Sequence, residues 1–532
     1  MEVKMPLRGS SVFLLLCIAL LSSWRACEGG KILVVPFEGS HWVNMDIMIR
    51  ALYAQGHSVD VIRTNTSWYI KENLLHYNSI TVSGSKGLDS DFVNPILAKI
   101  LAIERGQSSV MMFASLTVES FQVGFSLHAL MSEMARNLLK DEDLMARLKE
   151  HQYDLVLTDP AGGAGIILAH ALKLPLVYNV RWVTSGEGHL LIAPSPLSYI
   201  PMTGSGLSDK MTFFERVKNL VFFSLWKAQF AFFIYPHYQA VCTEFLDSKV
   251  DYNDLVQAAD LWLMRVDYVF EFPRPTMPNV IYIGGFQCQP AKPLPEHLEE
   301  FMQSSGEYGV IFMSLGTFVS ELPADLADKI AATFAKLPQK VIWRYKGAKP
   351  STLGNNTLLV DWVPQNDLLG HPKMKLFVAH GGTNGVQEAM YHGVPVVGIP
   401  LFFDQYDNLR RLTDRGAAVL VTLASVDKDN KFLKALQDVL SNSSYRTNMQ
   451  RLSKLHRDQP ITSLDNVIFW IEFVIRNKGA AHLRTKSYKL PWYAYYSVDV
   501  FFTLFSTVAL MILLPLMFLR KHGLNQQKIN LN

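Results

Sequence analysis

His41 and Asp159 have the residue types that a catalytic base and its orienting acid require. His41 lies in "SHW", just past the apolar run "KILVVPF". An imidazole titrating near about 6.5 is suited to take a proton from a hydroxyl at neutral pH. Asp159 closes the run "YDLVLTD", and a carboxylate there can orient the imidazole and stabilise its cation. The plainer alternatives are that His41 starts a helix or fills a core, and that Asp159, before Pro160, is a turn residue. Far along the chain, "AHGGTNGVQEA" (379–389) sets glycines between a strand-like and a helix-like segment. Gly381 and Gly382 let backbone N–H groups approach a ligand closely. Asn384 is suited to cap the helix that begins there. Free N–H groups and the helix dipole favour an anion such as phosphate, so His380 reads as a phosphate contact or as an ordinary strand-end histidine.

More polar residues fall at the ends of neighbouring apolar runs. Ser314, Gly316 and Thr317 end one, "DWVPQND" (361–367) follows another, and "PLFFDQ" (400–405) a third. Trp362 offers a flat face for a base, or else packs in a core. Gln365 carries an amide suited to a base edge. Glu388, one turn after Asn384, can accept from a ribose diol, and Asp404 and Gln405 from sugar hydroxyls. Arg265 is a candidate partner for a sugar carboxylate, or equally one side of a structural ion pair. Base, ribose, diphosphate and sugar together describe a nucleotide-sugar.

The elements that position these groups are strands and helices in alternation. The continuous apolar run at 31–37 reads as a buried parallel strand, and 57–64, 153–159 and 174–180 read as further strands. Helical stretches lie between them, the first over 43–55. A second series, "YGVIFMSLG", "QKVIWRYK", "TLLVDWV", "KLFVAH", "VPVVGIP" and "AAVLVTL", recurs with helical patterns between, as βα units do. The expectation is α/β: two doubly wound, Rossmann-like domains facing each other, with ligands beyond the carboxyl ends of their strands. The boundaries are 29–285 for the first domain, 286–300 for a proline-bearing linker and 301–492 for the second domain. The aromatic-rich segment 217–238 reads as a core or substrate-lining helix, with a membrane-surface helix as the alternative.

The chain has 532 residues and a formal net charge of +3, a balance that argues against a nucleic-acid partner. Residues 1–28 have the form of a signal peptide, with Lys4 and Arg8 before the short apolar run at 11–23. Residues 498–519 are apolar over a length that spans a bilayer. Trp492, Tyr493, Tyr495 and Tyr496 precede them like an interfacial belt, and Arg520, Lys521 and His522 follow. Positive residues stay cytoplasmic, so the tail 520–532 faces the cytosol and both domains face the lumen. N-x-S/T sequons stand at Asn65, Asn355 and Asn442 on that side. Cys17 and Cys27 leave with the signal peptide. Cys242 and Cys288 remain; one disulfide is open to them, but nothing in the sequence requires it. There is no Cys/His cluster of metal-ligand spacing.

The stretch 361–408, "DWVPQNDLLGHPKMKLFVAHGGTNGVQEAMYHGVPVVGIPLFFDQYDN", closely resembles the signature of the UDP-glycosyltransferases, and among them the animal UDP-glucuronosyltransferases. Trp362, Pro364, Gln365, His371, His380, Gly382, Glu388, Gly393, Pro395, Pro400, Asp404 and Gln405 carry the match. "KILVVP", "SHW", "TDP", "FPRP", "SLGT" and the terminal anchor resemble family features in family order. The resemblance implies a GT-B fold, with the acceptor on the first domain and the UDP-sugar on the second. It implies that Trp362 stacks on uracil, Gln365 contacts the base and Glu388 holds the ribose. Ser314, His380, Thr383 and Asn384 then surround the diphosphate, and Asp404 and Gln405 the sugar.

It further implies that His41 is the base and Asp159 its orienting partner in an inverting transfer, without a metal or a permanently bound cofactor. The expected donor is UDP-glucuronate, the acceptor a small lipophilic molecule and the location the endoplasmic reticulum membrane; a homo- or hetero-oligomer is compatible with all of this. The alternatives are another UDP-hexose, such as UDP-glucose, or a non-catalytic UDP-sugar-binding protein. A dinucleotide oxidoreductase would need G-x-G-x-x-G after a strand, and "PFEGSH" lacks it. The sequence departs from the family at Ala379, where Thr or Ser is usual, and at Phe403, where the animal enzymes carry glycine.

Overall fold

The computed structural model describes residues 29–84, 97–98, 100–105, 110–181, 183–184, 187–317, 319, 321–402, 404–428, 430–485 and 487–529. The segment read as a signal peptide and Phe403 lie outside them.

The chain opens with β1 (Lys31–Val35), α1 (Ser40–Ala54) and β2 (Ser58–Thr64). Next come β3 (Asn78–Val82), α2 (Val110–Lys140), β4 (Leu155–Thr158), α3 (Ala164–Leu172) and β5 (Leu176–Val180). A long helical passage, α4 (Phe213–Gln229) through a π-turn at Phe230–Ile234 into α5 (Tyr235–Phe245), precedes β6 (Leu261–Met264) and β7 (Val280–Tyr282). These strands form one parallel sheet in the order β3-β2-β1-β4-β5-β6-β7. Side chains alternate across a strand, and both faces of β1 are buried: Leu33 and Val35 pack into one apolar cluster, Ile32 and Val34 into the other. That two-sided burial is why the strand reads as an unbroken apolar run.

The second domain contains β8 (Val310–Ser314), β9 (Lys340–Arg344), β10 (Thr357–Val360), α6 (Gln365–Leu369), β11 (Met374–Ala379) and α7 (Thr383–His392). It continues through β12 (Val396–Gly398), α8 (Gln405–Asp414), β13 (Ala418–Leu420) and α9 (Ser443–Arg457). Its sheet is parallel in the order β10-β9-β8-β11-β12-β13. Ile311 and Met313 serve one face, Val310 and Phe312 the other. The expected pair of doubly wound domains is present.

Two boundaries differ from expectation. The sequence assigns everything from 301 to 492 to the second domain, yet α10 (Ser463–Asn477) returns to the first. Val467, Ile471 and Val474 pack with Ile32, Val34 and Met45, because α10 presents its apolar stripe to the open face of that sheet. In the other direction, Leu101 joins the second domain's core, and Tyr406 donates to Glu104 at 2.5 Å. A helix begins at Glu296, within the linker 286–300.

The aromatic passage read over 217–238 divides: Ile234 and Tyr238 are buried in the first domain's core, with Phe230 and Tyr235 packed against it, whereas α4 is largely exposed. In α4, Phe213, Phe214, Val217, Leu220 and Val221 are exposed, as is Phe232 in the π-turn; Asn219 is the one fully buried residue of α4. α4 carries Glu215, Arg216, Lys218 and Lys227 among its apolar residues, and these exposed apolar side chains are not covered by the core. α11 (Val498–Ile529) contains the expected span; its stretch from Val498 to His522 is apolar and unburied. Cys242 and Cys288 are unbridged. Asn65, Asn355 and Asn442 are exposed.

Candidate active site

In each sheet the strand order reverses at one place, between β1 and β4 in the first domain and between β8 and β11 in the second. Ligands of open parallel sheets bind in the crevice outside the carboxyl ends at such a switch point. His41 and Asp159 follow β1 and β4. Ser314, Gly316 and Thr317 close or follow β8, and His380, Gly382, Thr383 and Asn384 follow β11. The two crevices meet across the domain boundary. Asn44 on α1 and Asn384 on α7 exchange both amide bonds, at 3.0 and 2.7 Å. Further bridges support this closure: Asp407 on α8 accepts from Gly204 and Gly206 N–H at 2.6 and 2.9 Å, and His456 bonds Asp267 at 2.6 Å.

On the first-domain side, His41 Nδ1 lies 2.6 Å from Asp159 Oδ2, and both residues are buried. Asp159 Oδ1 accepts from Ala161 N–H at 3.0 Å. The carboxylate is therefore held from behind, and Nδ1 carries the proton that bonds it. That tautomer leaves Nε2 as the basic nitrogen. Arg265, one residue past β6, places Nη2 3.4 Å from His41 Nδ1. Burial lowers its pKa to about 10, with Asp159 opposing the shift. The arginine read as a sugar-carboxylate partner thus stands beside the dyad. Its carbonyl accepts from Gln387 on α7 at 3.1 Å, which ties the base to the helix after β11.

On the second-domain side, His380 sits between two glycines. A Cβ on Gly316 would come within 2.6 Å of its Nε2, and one on Gly382 within 2.4 Å. Gly316 also has φ of 85°, a region that disfavours other residues. Burial lowers the His380 pKa to about 4. At neutral pH it therefore meets an anion as an uncharged hydrogen-bonding group. Among the described residues its Nδ1 has no partner. Gly382→Ala should push the ring out of this slot and raise the dissociation constant for a UDP-sugar about tenfold, roughly the loss of one good hydrogen bond. Calorimetric titration checks this, with a thermal melt showing that the fold is kept.

Gln365, at the start of α6, donates to Glu388 Oε2 at 2.5 Å. Burial pushes the Glu388 pKa up to about 7, against the pull of Gln365. Trp362 is 70% exposed; its indole is a surface platform and not core packing. Asp404 accepts from Thr383 Oγ1 at 2.9 Å and Asn408 Nδ2 at 2.6 Å, and pairs with Arg181. Burial raises its pKa, but Arg181, Thr383 and Asn408 outweigh that and hold it below the usual carboxylate value. Gln405 is buried, and its Oε1 accepts the N–H groups of Leu401 and Phe402 at 2.8 and 3.2 Å. These bonds leave its amide N–H group unengaged. Ser314 is buried, its Oγ accepting from Gly316 N–H at 3.3 Å. Thr317 lies in the turn that follows.

One expectation is corrected outright. Asn384 does not cap α7: the N-cap is Gly382, with no side-chain cap bond. The Asn384 amide is engaged by Asn44 instead. Reading the sequence also missed Arg181, Asn44 and Asn408. Arg181 was within reach, since it directly follows the carboxyl end of β5 and so shares the sheet edge of His41 and Asp159.

Two Rossmann-like domains facing each other across their switch-point crevices are the GT-B architecture. Solved structures agree on the fold. The glycotransferase of kitacinnamycin matches with TM-score 0.55 at 17% identity, covering 84% of this chain and 99% of that one. A UDP-glucose:anthocyanidin 3-O-glucosyltransferase in complex with UDP matches with TM-score 0.54 at 16% identity and the same coverage. The model of the family "UDP-glucoronosyl and UDP-glucosyl transferase" matches residues 30–528, and the chain belongs to that family. UDP-glucuronosyltransferase 2B13 of Oryctolagus cuniculus is 41% identical over 525 residues, covering 95% of each chain. UDP-glucuronosyltransferase 2B1 of Rattus norvegicus is 42% identical over 505 residues, covering 93% of each.

Proposed function

We propose that the protein transfers glucuronic acid from UDP-glucuronate to a hydroxyl or similar group of a small lipophilic acceptor. The observation that carries the reading is the buried His41–Asp159 pair, 2.6 Å apart, set at one switch crevice and facing the glycine-flanked His380 and α7 at the other. In this mechanism His41 Nε2 takes the acceptor's proton as its oxygen attacks the anomeric carbon. Asp159 stabilises the imidazolium. UDP departs from the opposite face, so the configuration inverts. The N–H groups at the start of α7, with His380 and Thr383, meet the charge that develops on the diphosphate. Trp362 stacks on the base, Gln365 bonds its edge, Glu388 accepts from the ribose, and Asp404 with the Gln405 amide engages the sugar.

α11 anchors the enzyme in the endoplasmic reticulum membrane with both domains lumenal, a topology supported by the apolar stretch from Val498 to His522 and the cations after it. The exposed aromatics of α4 and the π-turn suit a second contact with the bilayer surface, on the route a lipophilic acceptor would take.

Membranes containing the full chain, offered each UDP-sugar in turn with a mixture of phenols and steroids, test the reading. Glucuronides formed from UDP-glucuronate are the expected products. Faster transfer from UDP-glucose would reassign the donor, and no transfer from any donor would remove the enzymatic reading.

A further inference from the structure

A uronic acid differs from its parent hexose by one carboxylate, so a site that selects it needs a cation at the sugar end that can form a forked pair. Among the described residues, Arg265 lies beside the dyad and Arg181 beside Asp404. Arg265 is 3% exposed, and the acid that most supports its charge is Asp159. Its Nη2 faces His41 Nδ1, and its main chain is fixed by Gln387. It belongs to the base.

Arg181 is different. It comes from the first domain but pairs with Asp404 of the second, and its Nη2 also lies 3.5 Å from Asn408 Oδ1. Asp404 does not depend on that pairing alone, because Thr383 and Asn408 both donate to the same carboxylate oxygen. The guanidinium can therefore turn toward a second carboxylate while Asp404 keeps two donors. With side-chain exposures of 10% for Arg181 and 13% for Asp404, such a pair is shielded from water, where a charged hydrogen bond counts for more than at the surface.

We propose that Arg181 is the donor-specificity residue, exchanging Asp404 for the carboxylate of the transferred uronic acid; this rests on the glucuronate reading above. Asp404 is then left to accept hydroxyls of the sugar ring. Because Arg181 is supplied by the acceptor domain and Asp404 by the donor domain, a uronic acid donor also replaces one bridge between the domains with another that runs through the substrate. An uncharged hexose leaves Arg181 on Asp404, in competition with the ring hydroxyls.

The test is the ratio of kcat/KM for UDP-glucuronate to that for UDP-glucose, measured on the membrane-bound full chain. Arg181→Gln should lower this ratio about 30-fold or more, as expected when a buried carboxylate loses its cation. Arg181→Lys, which keeps the charge but not the fork, should fall between. Arg265→Gln should slow both donors together and leave the ratio within about threefold. Retention of UDP binding by each variant separates a selectivity change from misfolding. Equal loss with both donors in Arg181→Gln, or a ratio that moves with Arg265 and not with Arg181, would overturn the assignment. A wild-type enzyme that transfers glucose and no glucuronate would overturn the donor reading and this assignment with it, and it shows before any variant is made.

Discussion

His41→Ala is expected to lower kcat about a thousand-fold, within the usual range for loss of a positioned general base, while the dissociation constant for the UDP-sugar stays within about threefold. The separation follows from the fold: His41 opens α1 in the first domain, whereas the donor groups lie on β8, α6, α7 and α8 of the second. Asp159→Asn gives a sharper version of the same test. The acid uses its two oxygens for different donors, Oδ1 for Ala161 N–H and Oδ2 for His41 Nδ1. An asparagine that keeps the Ala161 bond must turn its NH2 toward Nδ1. Nδ1 then has to accept, the ring proton moves to Nε2, and the nitrogen meant to act as base becomes a donor. A loss of about a hundred-fold or more is expected from the wrong tautomer alone. The double variant should be little worse than either single one, because the two residues act as a unit. Steady-state kinetics and single-turnover rates check all three. Undiminished turnover in His41→Ala would remove the proposed base.

Much of this arrangement is legible in the chain. β1, β4, β5, β8 and β12 are buried on both faces and announce themselves as nearly continuous apolar runs; β2 carries Asp60 and Arg63, and β10 and β13 are largely half-buried, so these are legible chiefly from their place in the alternation of strands and helices. β3, β6 and β7 went unread. Asn78–Val82 is mostly polar on an edge, and Leu261–Met264 and Val280–Tyr282 are short. Contacts between domains are the illegible part. Nothing local to Asn44 signals Asn384 across 340 positions of sequence, and Arg181 meets Asp404 across 223. The same blindness produced the error at Asn384, whose type and place suit a cap until a partner from the other domain takes its amide. Composition misled at α4 because apolar content does not say what covers it. Ala379 is buried at the end of β11, and nothing in the structure explains why alanine stands there.

Donor affinity should also tighten with pH, and Glu388 is the reason. Its carboxyl is pushed up to about 7 by burial, with Asp367 adding repulsion and Gln365 opposing; the neighbouring Cys288 thiol is itself raised well above its usual range and stays neutral. The ionised group accepts from a ribose diol more strongly than the neutral acid, which also carries a competing O–H. At pH 6 about a tenth of the protein is ready, and at pH 8 about nine-tenths, so the dissociation constant for UDP-glucuronate should fall about tenfold across that interval. The sign for stability is opposite. A folded-state pKa above the unfolded 4.5 means that protonation favours the fold, so this group's contribution is intact below pH 4.5 and is lost as pH rises through about 7. The free enzyme's melting temperature should therefore decline over this window, while the shift produced by saturating UDP-sugar grows. Glu388→Gln removes the affinity slope and this group's share of the stability slope, leaving the share of Asp407, whose pKa burial raises to about 6. It keeps the shape and one acceptor but not the charge, so at pH 8 it should bind UDP-glucuronate about ten- to a hundred-fold more weakly, the worth of a charged hydrogen bond to the ligand. UDP-glucuronate is the appropriate ligand for this titration, since its diphosphate is esterified at both ends and has no proton to exchange near neutrality. A wild-type affinity that is flat from pH 6 to pH 8, or a slope that persists in Glu388→Gln, would detach Glu388 from the ribose and leave it a buried acid bonded to Gln365.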